Sequence, residues 1–421
     1  MYFFSASVNY RQQSNMPKRR GKYIQKQAHR DVSAANFSNG QINFNICIPQ
    51  GMYWSPSKSF FDMRVSTMQN DNTSRLADET NIAPAMFQGD TCFRQMCLKV
   101  NGQPISRIDD YVAQVSALKH RIKRTDSWLN TVGKYDIISE FSWAERKNLV
   151  TSDGGGRAKG KYSLAWQPAL GVWNKEYLPA GKYQLELLPK PASVLSIHGV
   201  DSNGNVVAAN NYSFRVERMH MYLWTGVDDS PPQGEYGFSF SECRCQSQNI
   251  TTNSLTQKTF TVDPRTRALS LAFQASDAGQ ASTRSITLFK AEGDDELNLE
   301  RHYISFRGQK LPDTIPELEY ASAGADADLD YFTQMYREQM EYSGAHKKPD
   351  HEDLITWEGR GIYFHYDQWP SSGSDKVHVS HQFSAAFTSA TQLLLFDHWD
   401  EYVKLHYQQG KISKVSMSSY D

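Results

Sequence analysis

The residues best spaced for phosphate chemistry lie between positions 155 and 162. Their sequence, GGRAKGKY, fits the G-x-x-x-x-G-K pattern of a loop whose backbone amides and lysine hold a nucleotide. Tyr162, however, stands where such a loop needs Ser or Thr to hold Mg²⁺. The residues that follow, from Tyr162 to Trp166, indicate extended chain instead of a helix whose N-terminus could face the phosphate. We therefore interpret this segment as a solvent-facing loop.

Two further pairs of residues could bind a metal or carry out redox chemistry. His378 and His381 are three residues apart, and on a strand this spacing directs them to opposite faces, away from a shared ion. Cys243 and Cys245 lie on the same face of a strand, which favours a structural pair over redox chemistry. The five cysteines form no CxxC motif and have no histidine at zinc-ligand spacing. We predict reduced thiols, no metal, no cofactor, no catalytic residue and no enzymatic activity.

A basic segment precedes the first acidic residue, Asp31. Its cations are Arg11, Lys18, Arg19, Arg20, Lys22, Lys26 and Arg30. Such a segment can neutralise phosphates and bind nucleic acid, or contact the inner face of an assembly. The cluster Lys18-Arg19-Arg20 also suits nuclear import, and a solvated tail is the third interpretation. We predict a basic, flexible N-terminal arm over residues 1–37.

Composition limits the remaining classes. A chain of 421 residues predicts two domains, and the many aromatic residues favour β-rich cores. The formal net charge of -1 argues against a chain that is strongly basic throughout. The N-terminus lacks the apolar run of a signal peptide, and no 18-residue apolar run follows, so we expect synthesis in the cytoplasm.

Short alternating runs predict antiparallel strands along most of the chain. Examples are Phe61, Met63 and Val65, which alternate with polar residues. Pro231-Pro232 indicates a linker, after which a second set of strands begins. The chain closes with a predicted hairpin across Gln408-Gln409-Gly410.

Two segments have helical periodicity. One is predicted to begin at Ser106 with a capping box, and the other runs from Leu329 to a cap at Gly344. Each follows a strand and a Gly-Gln turn, at Gly102-Gln103 and Gly308-Gln309. The recurrence of strand, turn, helix and strand set in both halves predicts one β-sandwich present twice.

This pattern resembles the double jelly-roll major capsid proteins of the adenovirus, virophage and polinton-like virus lineage. The resemblance rests on residues 108–111, which open the first predicted helix, on residues 178–183, and on residues 393–396 with 402–403 and 410–412. It implies an all-β chain of two tandem eight-stranded antiparallel jelly-roll sandwiches, each with one short inserted helix. We place the first at residues 38–228, the linker at 229–232 and the second at 233–421.

The family resemblance also implies a function. It implies a homotrimer with a pseudo-hexagonal outline that builds an icosahedral virion shell around the genome. Expected partners are other copies of the chain, penton or minor capsid proteins, the viral genome through the basic arm, and a membrane. Import to the host nucleus is a further expectation. Two alternatives stay open: a single jelly-roll shell protein with a projection domain, and a two-domain carbohydrate-binding protein, which nine tryptophans favour.

Overall fold

The computed structural model describes residues 21–27, 40–69, 82–84, 89–123, 161–190, 196–198, 212–276, 299–311, 329–344, 362–366, 375–383 and 390–417. The strands are β1 Gly21–Gln27, β2 Ile42–Ile48, β3 Met52–Trp54, β4 Phe60–Gln69, β5 Ile82–Pro84, β6 Phe93–Val100, β7 Gln103–Asp109, β8 Lys161–Trp166, β9 Gly181–Pro189, β10 Ser196–His198, β11 Tyr212–Val227, β12 Glu235–Ile250, β13 Thr256–Thr261, β14 Thr266–Ala275, β15 Leu299–Phe306, β16 Gln309–Leu311, β17 Ile362–Tyr366, β18 Lys376–Phe383, β19 Thr391–Gln408 and β20 Lys411–Met417. The α-helices are α1 Val112–Lys123 and α2 Leu329–Ser343, and 3-10 turns lie at Pro56–Lys58, Gly89–Cys92 and Gly171–Asn174.

The first half of the chain forms two antiparallel sheets. One has the order β1-β11-β4-β8, with β3 also beside β11, and the other has the order β2-β9-β6-β7. Leaving out the short β3, β5 and β10, the first sheet contains the first, eighth, third and sixth strands in chain order. The second contains the second, seventh, fourth and fifth. This nested antiparallel order is that of a jelly roll.

The second half repeats the arrangement. One sheet has the order β12-β19-β14-β17, with β20 also beside β19, and the other has the order β13-β18-β15-β16. Counted from β12, the strands again follow the order first, eighth, third, sixth and second, seventh, fourth, fifth. The predicted fold class, two tandem eight-stranded jelly rolls with one helix in each, is therefore confirmed.

Strand β1 corrects the prediction of a flexible arm for residues 21–27. All seven of its residues pair with β11, from Gly21 opposite Gly226 to Gln27 opposite His220. Because β1 is the first of the eight jelly-roll strands, the first sandwich begins at least as early as residue 21, not at residue 38. Its partly buried Ile24 packs against the core, which gives the strand an apolar anchor.

Matching turns join the fourth and fifth strands of each jelly roll. Asn101 and Gly102 have φ angles of 49° and 83°, and Arg307 and Gly308 have 49° and 81°. Two consecutive positive φ angles define the tight hairpin turn that suits the twist of antiparallel strands, and glycine adopts them without strain. In both halves a helix then follows before the sixth strand, as the duplicated order predicts.

The first helix begins later than predicted. Residues 103–109 form β7, paired with β6, and α1 begins only at Val112. Ser106 does not cap a helix, because its hydroxyl donates to the carboxylate of Glu242 in the second half. Asp110 and Tyr111, with φ angles of 52° and 47°, redirect the chain between strand and helix. The second helix ends at Ser343, with Gly344 at φ 68°, as predicted.

The apolar core extends from one jelly roll into the other. Phe44, Phe61, Trp54 and Trp166 are fully or almost fully buried in the first sandwich. The same cluster continues into β12 through Phe238, Phe240, Cys243 and Cys245. A second cluster lies between the sheets of the second sandwich. The two sandwiches therefore share packed apolar surface.

Candidate functional site

The structure describes two of the seven predicted contact residues of the basic segment. Lys22 and Lys26 lie in β1, opposite Thr225 and Met221, and the side chain of Lys22 is exposed. Arg11, Lys18, Arg19, Arg20 and Arg30 lie outside the described residues. Contact of this segment with nucleic acid or with an inner shell surface stays a prediction.

The phosphate-loop candidate ends in a strand. Residues 155–160 lie outside the described part of the chain, but Lys161 and Tyr162 open β8, where Tyr162 pairs with Val65. The extended chain predicted after the lysine is therefore confirmed. No helix N-terminus follows at this point to face a phosphate group.

The histidine and cysteine pairs also occupy the predicted strands. His378 is partly exposed and bonds to the hydroxyl of Thr259 at 3.0 Å, whereas His381 is fully buried. The two therefore point to opposite faces of β18, as expected. Cys243 and Cys245 are both buried free thiols, and burial raises the pKa of Cys245 well above its usual range, which favours an unreactive thiol.

The arrangement that sequence reasoning missed is the junction between the two jelly rolls. Polar contacts among the described residues cross it in addition to the apolar core. They include Ser106 and the Gly171 amide to Glu242, Tyr111 to Ser247 at 2.6 Å, Gln114 to Gln274 at 3.3 Å, Asn101 to the carbonyl of Ile412 at 2.7 Å, and Tyr407 to the carbonyl of Ala180 at 3.2 Å. Each contact joins residues of different halves, so the junction orients one sandwich against the other.

A cleft of about 610 Å³ opens at this junction. Both helices contribute to it, α1 through Lys119 and His120 and α2 through Tyr342. Asp90 and Asp400 add carboxylates of opposite charge to Lys119. The lining therefore carries charges of both signs.

Glu242 is a buried and only partly compensated carboxylate at the junction. Its side chain is buried, and burial raises its pKa from 4.5 to about 7. Charge attraction from Lys119 and hydrogen bonds from Ser106 and the Gly171 amide oppose that rise. Its Oε2 has no hydrogen-bond partner among the described residues. The carboxyl group therefore titrates near neutral pH. Its ionisation leaves a buried negative charge at the junction, and this charge destabilises the junction.

We expect Glu242→Gln to stabilise the protein above pH 7. Because the pKa of Glu242 is higher in the folded state than in the unfolded state, the folded state keeps the proton up to a higher pH. The stabilisation that this proton gives is fully present below pH 4.5 and is lost as pH rises through 7. The amide avoids this loss. Chemical denaturation should show the variant gaining about 3 kcal/mol on the wild type between pH 4.5 and pH 8.5.

Subtracting the free energy of unfolding of the wild type from that of the variant at each pH cancels the contribution of all other titrating groups. Glu176→Gln is the matched control, because Glu176 is exposed just beyond the Gly171–Asn174 turn. A gain that is the same at both pH values would contradict the assignment of the pH dependence to Glu242.

The described residues contain no group of three or more side chains placed to hold a metal ion. Among the helices described, none has the length and apolar character that crossing a membrane requires.

Comparisons with known proteins identify the fold. No family model matches the sequence, and no curated protein matches it either. Solved structures do match. A chain of the Sputnik virophage is 9% identical, with a TM-score of 0.60, over 99% of this chain and 93% of that one. A chain of the PBCV-1 virus capsid is 11% identical, with a TM-score of 0.59, over 96% and 98%. The mavirus major capsid protein is 10% identical, with a TM-score of 0.53, over 100% and 96%.

These likenesses extend over nearly the whole length of every chain compared. They confirm the resemblance of this chain to double jelly-roll capsid proteins at the level of fold. At identities near 10%, the likeness shows a shared architecture but does not assign a role to any individual side chain.

Proposed function

We propose that this chain is a viral major capsid protein that forms trimers with a pseudo-hexagonal outline. The observation that carries the proposal is the tandem duplication: two jelly rolls of identical strand order share one apolar junction. Three such chains arranged in a ring present six similar sandwiches. Closed rings of this kind are what repeated contacts between identical subunits produce. The likeness to virophage and virus capsid chains over nearly their full length supports the same function.

Assembly into an icosahedral shell follows from this proposal. The exposed faces of the ring would meet other rings, and penton or minor capsid proteins would fill the remaining positions. The virion is then the final location, reached from the host cytoplasm or nucleus. The basic residues preceding β1 would contact the genome or the inner shell surface by charge.

A single jelly roll with a projection domain does not describe this chain, because its second half is itself a complete jelly roll. The carbohydrate-binding alternative depends on exposed aromatic side chains. Of the tryptophans that the structure describes, Trp54, Trp166 and Trp173 are buried. Trp224 and Trp399 are partly buried; Lys58 lies over the ring of Trp224, and Arg244 and Arg265 lie near that of Trp399. None of these five is a fully exposed stacking surface for a sugar, which weighs against this alternative.

The direct test is the oligomeric state of the purified full-length protein. We expect light scattering to give three times the chain mass of 48.0 kDa, and negative-stain images to show six-lobed rings. Higher protein concentration should produce curved sheets or shells. A chain that stays monomeric at high concentration and forms neither rings nor shells would contradict the proposal.

A further inference from the structure

Three histidines meet inside the second jelly roll. His302 on β15 and His381 on β18 lie opposite each other in one sheet, and His365 lies on β17 in the other sheet. Their exposed fractions are 0%, 0% and 3%. The Nε2 atoms of His302 and His365 are 3.4 Å apart, so the cluster joins the two sheets across the core.

The surroundings of this histidine cluster are unfavourable to positive charge. Phe273 and Phe383 pack their rings against His381, with centroids 5.9 Å and 5.5 Å away. Neither ring nitrogen of His381 has a hydrogen-bond partner among the described residues. His365 and His381 disfavour the protonation of His302, and Lys258 on β13 disfavours that of His381.

Where the structure describes their side chains, the charged groups on the elements packed nearby are paired or at least partly exposed. On α2, Gln339 is buried, Glu338 is partly exposed, and Arg337 and Glu341 face solvent. On β19, Asp397 is paired with Arg244, and His398 bonds to Ser270. On β15 and β18, Arg301 and His378 are partly exposed and Lys376 is exposed. The three imidazoles are therefore held neutral.

We propose that this histidine cluster makes the second jelly roll an acid-triggered unit, whose two sheets separate while the first jelly roll stays folded. Protonation of His381 places a buried cation beside His302 and two phenyl rings, and protonation of His365 places one beside His302. The first jelly roll has no counterpart, because β6, β8 and β9, the strands equivalent to β15, β17 and β18, contain no histidine.

The sign and size of the effect follow from the pKa values. Burial lowers the pKa of His365 to about 3 and that of His381 to about 4, and lowers that of His302 well below 6.5. Because the pKa values of these histidines are lower in the folded state than in the unfolded state, the free energy of unfolding is fully retained above pH 6.5. It decreases as pH falls towards 4. At pH 5 each of His365 and His381 should raise the unfolding equilibrium constant about 30-fold, or about a thousandfold together.

Hydrogen exchange of the full-length protein tests this inference without any substitution. Amides of β15 and β18 should lose protection between pH 7.5 and pH 5.0, after correction for the intrinsic exchange rate. Amides of β6 and β9 should keep theirs. Equal changes in both halves, or no change in either, would overturn the inference.

Variants assign the effect to the histidine cluster. In His381→Phe the new side chain suits the aromatic surroundings and cannot be protonated. The variant should therefore reduce the acid-induced loss of amide protection about 30-fold. His378→Gln, on the exposed side of the same strand, should behave as the wild type. A His381→Phe protein that loses protection as the wild type does would contradict the proposal.

The inference concerns the fold, and only its consequence for a shell, opening at acidic pH, rests on the proposed function. The two can fail separately. A protein that forms no rings yet loses protection in its second half would refute the capsid function alone. Rings in which the second jelly roll keeps its amide protection at pH 5.0 would refute the acid trigger alone.

Discussion

Removal of residues 1–27 is expected to abolish folding of the first jelly roll, whereas removal of residues 1–20 should leave it intact. The longer deletion takes away β1, the first of the eight strands, and leaves one edge of β11 without a partner over residues 220–226, while β4 and β3 stay paired to the other edge. It also removes Ile24 from the edge of the core. The missing ladder bonds, worth about 1 kcal/mol each, and the missing apolar packing together amount to about 5 kcal/mol or more. That is comparable to the whole stability of many domains.

Solubility, circular dichroism and denaturant midpoints of the two truncated proteins would measure this difference. We expect the longer deletion to aggregate, because an unpaired strand edge recruits other chains. A peptide of residues 18–30 added during refolding should partly restore it by strand addition. A soluble, cooperatively unfolding protein that lacks residues 1–27 would show that β1 does not belong to the sandwich.

The shorter deletion also tests the basic segment. It removes Arg11, Lys18, Arg19 and Arg20 while keeping β1. If these residues bind the genome, nucleic-acid affinity should weaken, and its logarithmic salt dependence should fall by about 0.9 for each phosphate that is no longer neutralised. Unchanged binding would leave import or simple solvation as the role of this segment.

Strand β1 is an element that could not be predicted from the local sequence pattern. Residues 21–27 carry two lysines and two glutamines around Tyr23 and Ile24, without apolar alternation. Their strand conformation comes from the open edge of β11, about 200 positions later. The strands at Phe61 to Val65 and Tyr183 to Leu187 could be predicted, because alternate residues there are buried and local periodicity records burial.

Ser106 and Glu242 illustrate the same limit at the junction. The capping-box pattern at Ser106 is local, but the hydroxyl is used by a carboxylate 136 positions away. One signal for Glu242 was present: Phe238 and Phe240 precede it at two-residue steps, which places it on their buried face. A carboxylate in line with two phenylalanines indicates a buried polar contact, although its partner cannot be read from periodicity.

The histidine cluster lay beyond sequence reasoning for a different reason. His381 attracted attention beside His378, its neighbour in sequence, but its neighbours in space are His302 and His365. Which strands become adjacent is decided by the jelly-roll order, and that order places β15 beside β18. Spacing along one strand can therefore exclude a shared site but cannot reveal one built from three strands.

Gly171→Ala is expected to loosen the junction between the jelly rolls. Gly171 lies in the 3-10 turn Gly171–Asn174, and an added Cβ would lie 2.0 Å from the carbonyl oxygen of Ser241 on β12. Because that obstacle is strand backbone, the sandwiches would have to move apart by about 1.5 Å to reach ordinary contact. The movement also endangers the hydrogen bond from the Gly171 amide to Glu242. Overpacking and a weakened buried bond together should cost about 4 kcal/mol.

Denaturant unfolding should show the loss, and limited proteolysis should locate it. If the sandwiches separate before either unfolds, cleavage in the connection at residues 228–234 should accelerate while the sheets stay protected. Asn174→Ala in the same turn is the control, since Asn174 is exposed. A Gly171→Ala protein with the wild-type midpoint and cleavage rate would mean that the turn can withdraw from β12 without cost. The junction would then no longer explain how one chain holds two jelly rolls in a fixed orientation.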